Sequence, residues 1–168
     1  MTNDERAAQA GVAIDALYRA QYSSLLAYLI RLVSDRATAE DLCHETFLKA
    51  FRSWDQQAEV INANAWLRRI ATNTAYDYLG RQRRIAFTAL PEEATWTAAT
   101  PMETRWDDAE PVRDALRRMS AHYRVPLVLQ SIGGYSLDDI AATLGCSSAS
   151  AKTRVHRGRK QFRQHYTA

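Results

Sequence analysis

The chain has 168 residues, 46% of them hydrophobic, with only 6 Gly and 4 Pro. That is enough for one compact domain or two small ones, and the scarcity of Gly and Pro favours an all-α class. The net charge of +3 is too small to argue for nucleic acid by itself, so any such argument must come from where the charge lies. No apolar window reaches membrane length, and the N-terminal MTNDERAAQAG lacks the core of a signal peptide, so a cytoplasmic protein is expected. The two cysteines, Cys43 and Cys146, fall on apolar positions and read as small core residues.

Residues 11–33 read as one long helix whose face is marked by Ile14, Leu17, Leu25, Leu29 and Leu32, with Tyr18, Tyr22 and Tyr28 beside it. Ser34 and Asp35 end it and can cap the next helix, about 37–54. There Ala39, Leu42, Cys43, Thr46, Phe47, Ala50, Phe51 and Trp54 follow i, i+3, i+4 spacing as a core stripe. The opposite face carries Glu40, Asp41, His44, Glu45, Leu48, Lys49 and Arg52, and Leu48 beside the acids suits either a lone exposed leucine or a docking patch. A polar loop over 55–65 is rich in side-chain amides, among them Asn62 and Asn64.

The third helix, about 64–84, turns Leu67, Ile70, Ala71, Thr74, Ala75 and Tyr78 inward. Off that stripe lie Trp66, Arg69, Asn73, Tyr76 and Asp77, followed by Arg81, Arg83 and Arg84. Interleaved aromatic and basic side chains suit single-stranded DNA, since bases stack on rings for about 1–3 kcal/mol each while cations follow the backbone. They suit equally a helix whose aromatics finish a small core. Residues 85–109 lose all periodicity and gather acids around Pro91 and Pro101, which reads as a flexible acidic linker between domains of about 10–84 and 110–166. Trp96 and Trp106 are unexpected in such a tether.

Pro111 suits the start of the next helix, with Val112, Ala115, Leu116 and Met119 on its face. Another begins near His122 and runs to Ile132, and Pro126 is compatible only with its first turn. Gly133 and Gly134 end it. Then comes GYSLDDIAATLGCSSASAKTRVHRGRKQFR over 134–163. Ser136 can cap a short helix with Ile140, Ala141 and Leu144 inward, Gly145 stops it, and Ser147 or Ser148 can cap a last helix. On that helix Ala151, Val155, Gly158 and Phe162 form one stripe. From 151 to 168 six cations, Lys152, Arg154, Arg157, Arg159, Lys160 and Arg163, meet no acid. A solvated face usually mixes signs, so this is the pattern of a helix-turn-helix whose second helix enters the major groove. The expected architecture is an N-terminal helical bundle and a C-terminal four-helix unit.

The chain resembles the extracytoplasmic-function group of bacterial sigma-70-type sigma factors. The resemblance is carried by Ala39-Glu40-Asp41-Leu42 through Glu45-Thr46-Phe47-Leu48-Lys49-Ala50-Phe51-Arg52, by Ala65-Trp66-Leu67-Arg68-Arg69-Ile70-Ala71 with Asp77-Tyr78-Leu79, and by Leu137-Asp138-Asp139-Ile140-Ala141 with Ala151-Lys152-Thr153-Arg154-Val155-His156-Arg157. It implies a factor that binds core RNA polymerase and directs initiation at promoters with −10 and −35 elements, needing no cofactor. It implies that Asp41, His44, Glu45, Leu48, Lys49 and Arg52 dock on the polymerase clamp helices. It implies that Asn62, Asn64, Trp66, Arg69, Asn73, Tyr76, Asp77, Arg81 and Arg83 serve the −10 element, with the 55–64 loop selecting an unstacked base. It implies that Ser148, Ser150, Lys152, Thr153, Arg154, His156, Arg157 and Lys160 read the −35 duplex while the same domain touches the polymerase flap. The group commonly has anti-sigma partners, so one is expected. The sequence departs from the family's pattern at His44, where Gln is usual, and at Gly80, where a basic residue is frequent.

Two other readings compete. A self-contained regulator, dimeric on a palindromic site, needs a symmetric apolar face that the sequence does not offer. A metal or thiol sensor would have to use Cys43, His44, Cys146 and His156, which have no short ligand spacing. No Ser/His/Asp set, paired-carboxylate cleft or phosphate loop points to an enzyme.

Overall fold

A computed structural model describes residues 3–54, 62–87 and 110–167. Over them the chain forms seven α-helices and no strand: α1 (Asn3–Val33), α2 (Arg36–Ser53), α3 (Ala63–Phe87), α4 (Glu110–Arg118), α5 (Ala121–Ser131), α6 (Leu137–Leu144) and α7 (Ser148–Tyr166). The expectations for residues 55–61, for 88–109 and for Trp96 and Trp106 lie outside the described residues. The first helix starts well before the expected residue 11. The Asn3–Ala10 run contains no helix breaker, and Glu5 falls at the positive end of the helix dipole. The third helix likewise runs on through Phe87, three residues past its expected end.

The α1, α2 and α3 helices pack on one another, and α4, α5 and α6 pack with or around α7. The sharp α1–α2 corner follows from two residues. Ser34 adopts a left-handed φ of 62°, and Asp35 caps α2 by accepting the Thr38 N–H at 2.8 Å. The buried face of α2 is Ala39, Leu42, Cys43, Thr46, Phe47 and Ala50, as the stripe predicts. Phe51 is a correction, being 43% exposed, and Trp54 is only half-buried. The stripe outruns the partner surface at the C-terminal end of α2, so spacing alone overstates burial there. Tyr28, expected beside the α1 face, is inside it.

Pro126 is a second correction. It lies in the second turn of α5, not the first. The missing N–H forfeits the bond to His122 O, but Tyr123 and Arg124 N–H groups already close the first turn on Ser120 O. The Gly133–Gly134 stop forms as expected, with Gly134 at φ 72° and the Tyr135 N–H returning to Leu129 O at 3.1 Å.

The two helical groups share one continuous apolar core, because α1 packs on α4 and α5. Arg124 of α5 is buried at this junction. Its Nε donates to Leu32 O at 3.2 Å and its Nη1 to Met119 O at 2.9 Å. Both acceptors are carbonyls at the C-terminal ends of helices, α1 and α4, which carry unpaired lone pairs and partial negative charge. That is how a guanidinium can be buried without a carboxylate. Burial still lowers its pKa to about 10.

Candidate DNA-contacting and docking faces

The helix-turn-helix is built by local chemistry. Ser136 and Asp139 form a capping box, with Ser136 Oγ accepting the Asp139 N–H at 3.1 Å and Asp139 accepting the Ser136 N–H at 3.2 Å. The Ser136 hydroxyl, then its N–H, hold the Asp139 carboxyl below the usual range, with a smaller contribution from Arg69. Gly145 takes φ 60° at the end of α6, where a side chain would be strained. Of the two candidate caps it is Ser147 that starts α7, accepting the Ser150 N–H at 3.1 Å. Ser148 instead donates its hydroxyl to Asp138 Oδ1, tying α7 to α6.

Ala151, Val155 and Gly158 bury one side of α7. Gly158 is needed there: a Cβ would meet Tyr123 O at 2.8 Å, so α5 and α7 approach backbone to backbone. The opposite side is one exposed surface of Lys152, Thr153, His156, Arg157 and Lys160, with Arg154 half-buried at its edge. Thr153 bonds back to Ala149 O at 2.9 Å, and Ser150 is half-buried near the cap. Arg159 faces elsewhere and donates to Gln130 at 2.7 Å.

On α3, Arg69, Asn73, Asp77 and Arg81 are exposed along one side, with Asn64 exposed at its start. Asn62 is exposed but occupied. Its Oδ1 accepts the Ala65 N–H at 3.0 Å, capping the helix. Trp66 is half-buried, its ring set edge-on to Trp54 at 5.8 Å between centroids. These two tryptophans end α2 and begin α3. Tyr76 is half-buried and donates its hydroxyl to Leu144 O at 3.1 Å, across to α6. The side chain of Arg83 lies outside the described residues.

On α2, Asp41, His44, Leu48 and Arg52 are exposed, Leu48 at 57%, and Glu45 is half-exposed beside them. Phe51, misread as core, adds its ring to this surface, so Leu48 has an apolar neighbour one turn on. A proportion of Lys49 is engaged inward. Its Nζ pairs with Glu45 at 2.8 Å and donates to Thr74 of α3 at 3.1 Å. The structure therefore separates three faces: basic on α7, basic and aromatic on α3, mixed charge with apolar on α2.

Residues that sequence reasoning passed over lie between these faces. Thr72 is buried and saturated: it donates to Arg68 O at 2.8 Å and accepts the Tyr28 and Tyr135 hydroxyls at 2.8 and 3.0 Å. Only Thr72's place one turn from Arg68 and Tyr76 could have flagged it. Among the described residues no cluster of His, Cys, Asp and Glu could hold a metal ion. Burial pushes the Cys43 thiol up to about 12, which is the opposite of what a sensor thiolate needs. No described helix is long and apolar enough to cross a membrane.

Comparison with known proteins agrees with the resemblance. The family model for Sigma-70 region 2 matches residues 17–85, and that for Sigma-70, region 4 matches 109–162. The RNA polymerase sigma factor CarQ of Myxococcus xanthus is 32% identical over 90% of this chain and 88% of its own. The ECF RNA polymerase sigma factor SigL of Mycobacterium tuberculosis is 32% identical over 90% and 89%. Among solved structures, the sigma factor RpoE in complex with the anti-sigma factor NepR, from Bartonella quintana, superposes with a TM-score of 0.64 at 28% identity, covering 92% of this chain and 96% of that one. The chain belongs to the sigma-70 family, as an RNA polymerase sigma factor of the extracytoplasmic-function group.

Proposed function

We propose that the three faces divide the work of promoter-specific initiation. Residues 10–84 act as region 2 and 110–166 as region 4, with 85–109 as the tether between them. The α2 face of Asp41, His44, Glu45, Leu48, Lys49 and Arg52, enlarged by Phe51, docks on the clamp helices of core RNA polymerase. The α3 face of Arg69, Asn73, Asp77, Arg81 and Arg83 holds the −10 strand, with Asn62, Asn64, Trp66 and Tyr76 shaping its approach. Asn62 does so indirectly, by capping α3. The α7 face of Lys152, Thr153, Arg154, His156, Arg157 and Lys160 reads the −35 duplex, and Ser148 and Ser150 lie at its entry. The protein carries no catalysis of its own and acts in the cytoplasm. An anti-sigma partner holds it off polymerase by covering the docking face, the DNA faces or both.

The observation that supports this reading is the exposed cationic side of α7 without any acid, set on a turn closed by Gly145. A helix entering the major groove can place arginine on guanine edges and lysine on phosphates. The exposed apolar pair Leu48 and Phe51, one turn from Glu45, favours a protein surface, not DNA, on α2. A self-contained regulator would leave that pair unexplained.

The test is run-off transcription with bacterial core polymerase on a genomic fragment library. Start sites sharing −35 and −10 elements are expected, and tight duplex binding with no affinity for core would overturn the reading. Two double variants then assign the faces. Lys152→Glu with Arg157→Glu should abolish −35 binding and spare core binding, and Asp41→Lys with Leu48→Asp should do the reverse. Loss of both activities in both variants would refute the assignment.

A further inference from the structure

One further concentration of charge lies away from the three faces. Where α1 turns into α2 beside α4, a cavity of about 40 Å³ opens to solvent. Its wall carries four guanidiniums, those of Arg31 on α1, Arg36 on α2 and Arg113 and Arg117 on α4, and, among the described residues, one carboxylate, that of Glu110. Two of the guanidiniums crowd each other: burial and, after it, the charge of Arg113 lower the pKa of Arg31 below its ordinary value. Two helices also begin at this wall, α2 at Arg36 and α4 at Glu110, and each adds the positive end of its dipole.

Ser34 lines the same cavity and is only 7% exposed. Its N–H donates to Ile30 O at 2.7 Å, but among the described residues its hydroxyl has no hydrogen-bond partner. That hydroxyl is not sealed in the core, where every described side-chain nitrogen and oxygen has a partner; it is reached from the cavity. Whatever fills the cavity must therefore meet it. The existing ion pairs do not compete strongly. Arg36 with Glu40, Arg113 with Glu110 and Arg117 with Asp114 are partly exposed pairs within one helix, of the kind that contributes little and is easily exchanged. The donors converge from three helices. A planar carboxylate takes such donors in one plane, whereas a tetrahedral phosphate takes them from every side, and guanidinium forks match its oxygens in pairs. At about 10–15 Å³ per water the cavity holds roughly three waters, the scale of one phosphate group and too small for a continuous nucleic-acid backbone.

We propose that this cavity binds a terminal phosphate group, with Arg31, Arg36, Arg113 and Arg117 as its cationic wall and the Ser34 hydroxyl as a further donor, the ligand being free phosphate or a small phosphorylated molecule whose remainder lies in solvent. The site shares no residue with the polymerase or promoter faces and does not depend on their assignment. Glu110 is the internal competitor. Its side chain is 70% exposed and holds Arg113 at 2.7 Å, so an arriving phosphate displaces it into solvent.

The experiment titrates the full chain calorimetrically with inorganic phosphate and, separately, with ATP. One-to-one binding is expected, with a thermal midpoint that climbs with ligand concentration. Tighter binding of ATP marks a nucleotide as the source, and phosphate binding as tightly or more tightly marks the free ion. Ser34→Gly suits the left-handed φ of 62° and removes the hydroxyl, so affinity should fall roughly fivefold, the equivalent of one hydrogen bond. Arg36→Gln should weaken binding about tenfold through loss of a charged donor. Glu110→Gln should act in the opposite direction, tightening it about threefold by freeing Arg113. The variant with Lys152→Glu and Arg157→Glu, which loses the basic face of α7, should bind phosphate as the wild type does. Circular dichroism checks that each variant is folded. Absence of one-to-one binding overturns the site. So do Ser34→Gly and Arg36→Gln variants that bind as tightly as wild type, and so does loss of binding in the α7 variant, which would put the anion on the DNA face instead.

Discussion

Arg124 shows how much one side chain can settle. A buried guanidinium with no acid partner costs several kcal/mol in desolvation unless its donors are satisfied. Here Nε and Nη1 face the carbonyls of Leu32 and Met119 at two helix C-termini, where the backbone is short of donors. Every described buried side-chain nitrogen and oxygen has a partner. Arg124→Met should therefore destabilise the chain by about 3 kcal/mol, because two buried carbonyls lose a charged donor at about 1.5 kcal/mol each or more. Arg124→Lys, with one ammonium for two acceptors, should cost about half as much. Urea denaturation monitored by circular dichroism measures both. A loss under about 1 kcal/mol for the methionine variant would mean that water replaces the guanidinium. None of this was legible in the sequence. Arg124 sits 92 positions from its acceptor on α1, and a carbonyl has no residue type to recognise.

At the scale of the helix, sequence and structure agree where the period is long and the ends are chemically marked. The α2 stripe was readable from Ala39 to Ala50 because six buried positions repeat without a miss. The α6–α7 turn was readable because Ser136, Gly145 and Ser147 each have one local job. Failures came where a partner surface, not the helix, decides burial. Phe51 continues the spacing but stays 43% exposed, and Tyr28 breaks the expected face because Thr72 supplies its hydroxyl with an acceptor. Of the candidate site, the α7 face was legible from charge alone. The double duty of Asn62, Lys49 and Tyr76 was not, since it depends on neighbours brought in by folding.

Gly80 offers a test at this scale. It lies inside α3, seven residues before the helix ends, and a Cβ there would meet nothing within 4 Å. Gly80→Ala should then gain about 1 kcal/mol of stability from reduced backbone entropy in the unfolded chain. The gain should appear as a higher thermal midpoint. Unchanged or lowered stability would show that α3 is not helical through Gly80 in solution. Gly158 is the contrast. Its Cβ would press on Tyr123 O at 2.8 Å, so the same substitution there should destabilise by forcing α5 and α7 apart.

For the whole molecule, 22 Lys and Arg against 19 Asp and Glu nearly cancel, so the chain as a body has little to attract DNA. What attraction it has must be local, on the side of α7 where Lys152, Arg157 and Lys160 stand exposed with no acid on the helix. This separates two accounts of −35 binding that give similar affinities. If phosphates are neutralised by that face, each contact releases counterions and adds about 0.9 to the slope of log affinity against log salt. Lys160→Ala should then lower the slope by about that amount. Arg19→Ala removes the same charge from α1, where Arg19 is exposed and paired with Asp15 at 2.9 Å. It should leave the slope unchanged. Equal effects of the two variants would mean that net charge, not the face, draws the chain to the duplex. Arg157 discriminates further. If it reads a guanine edge, Arg157→Ala will relax base preference at one −35 position more than it lowers the slope, whereas a phosphate contact would weaken all sequences alike.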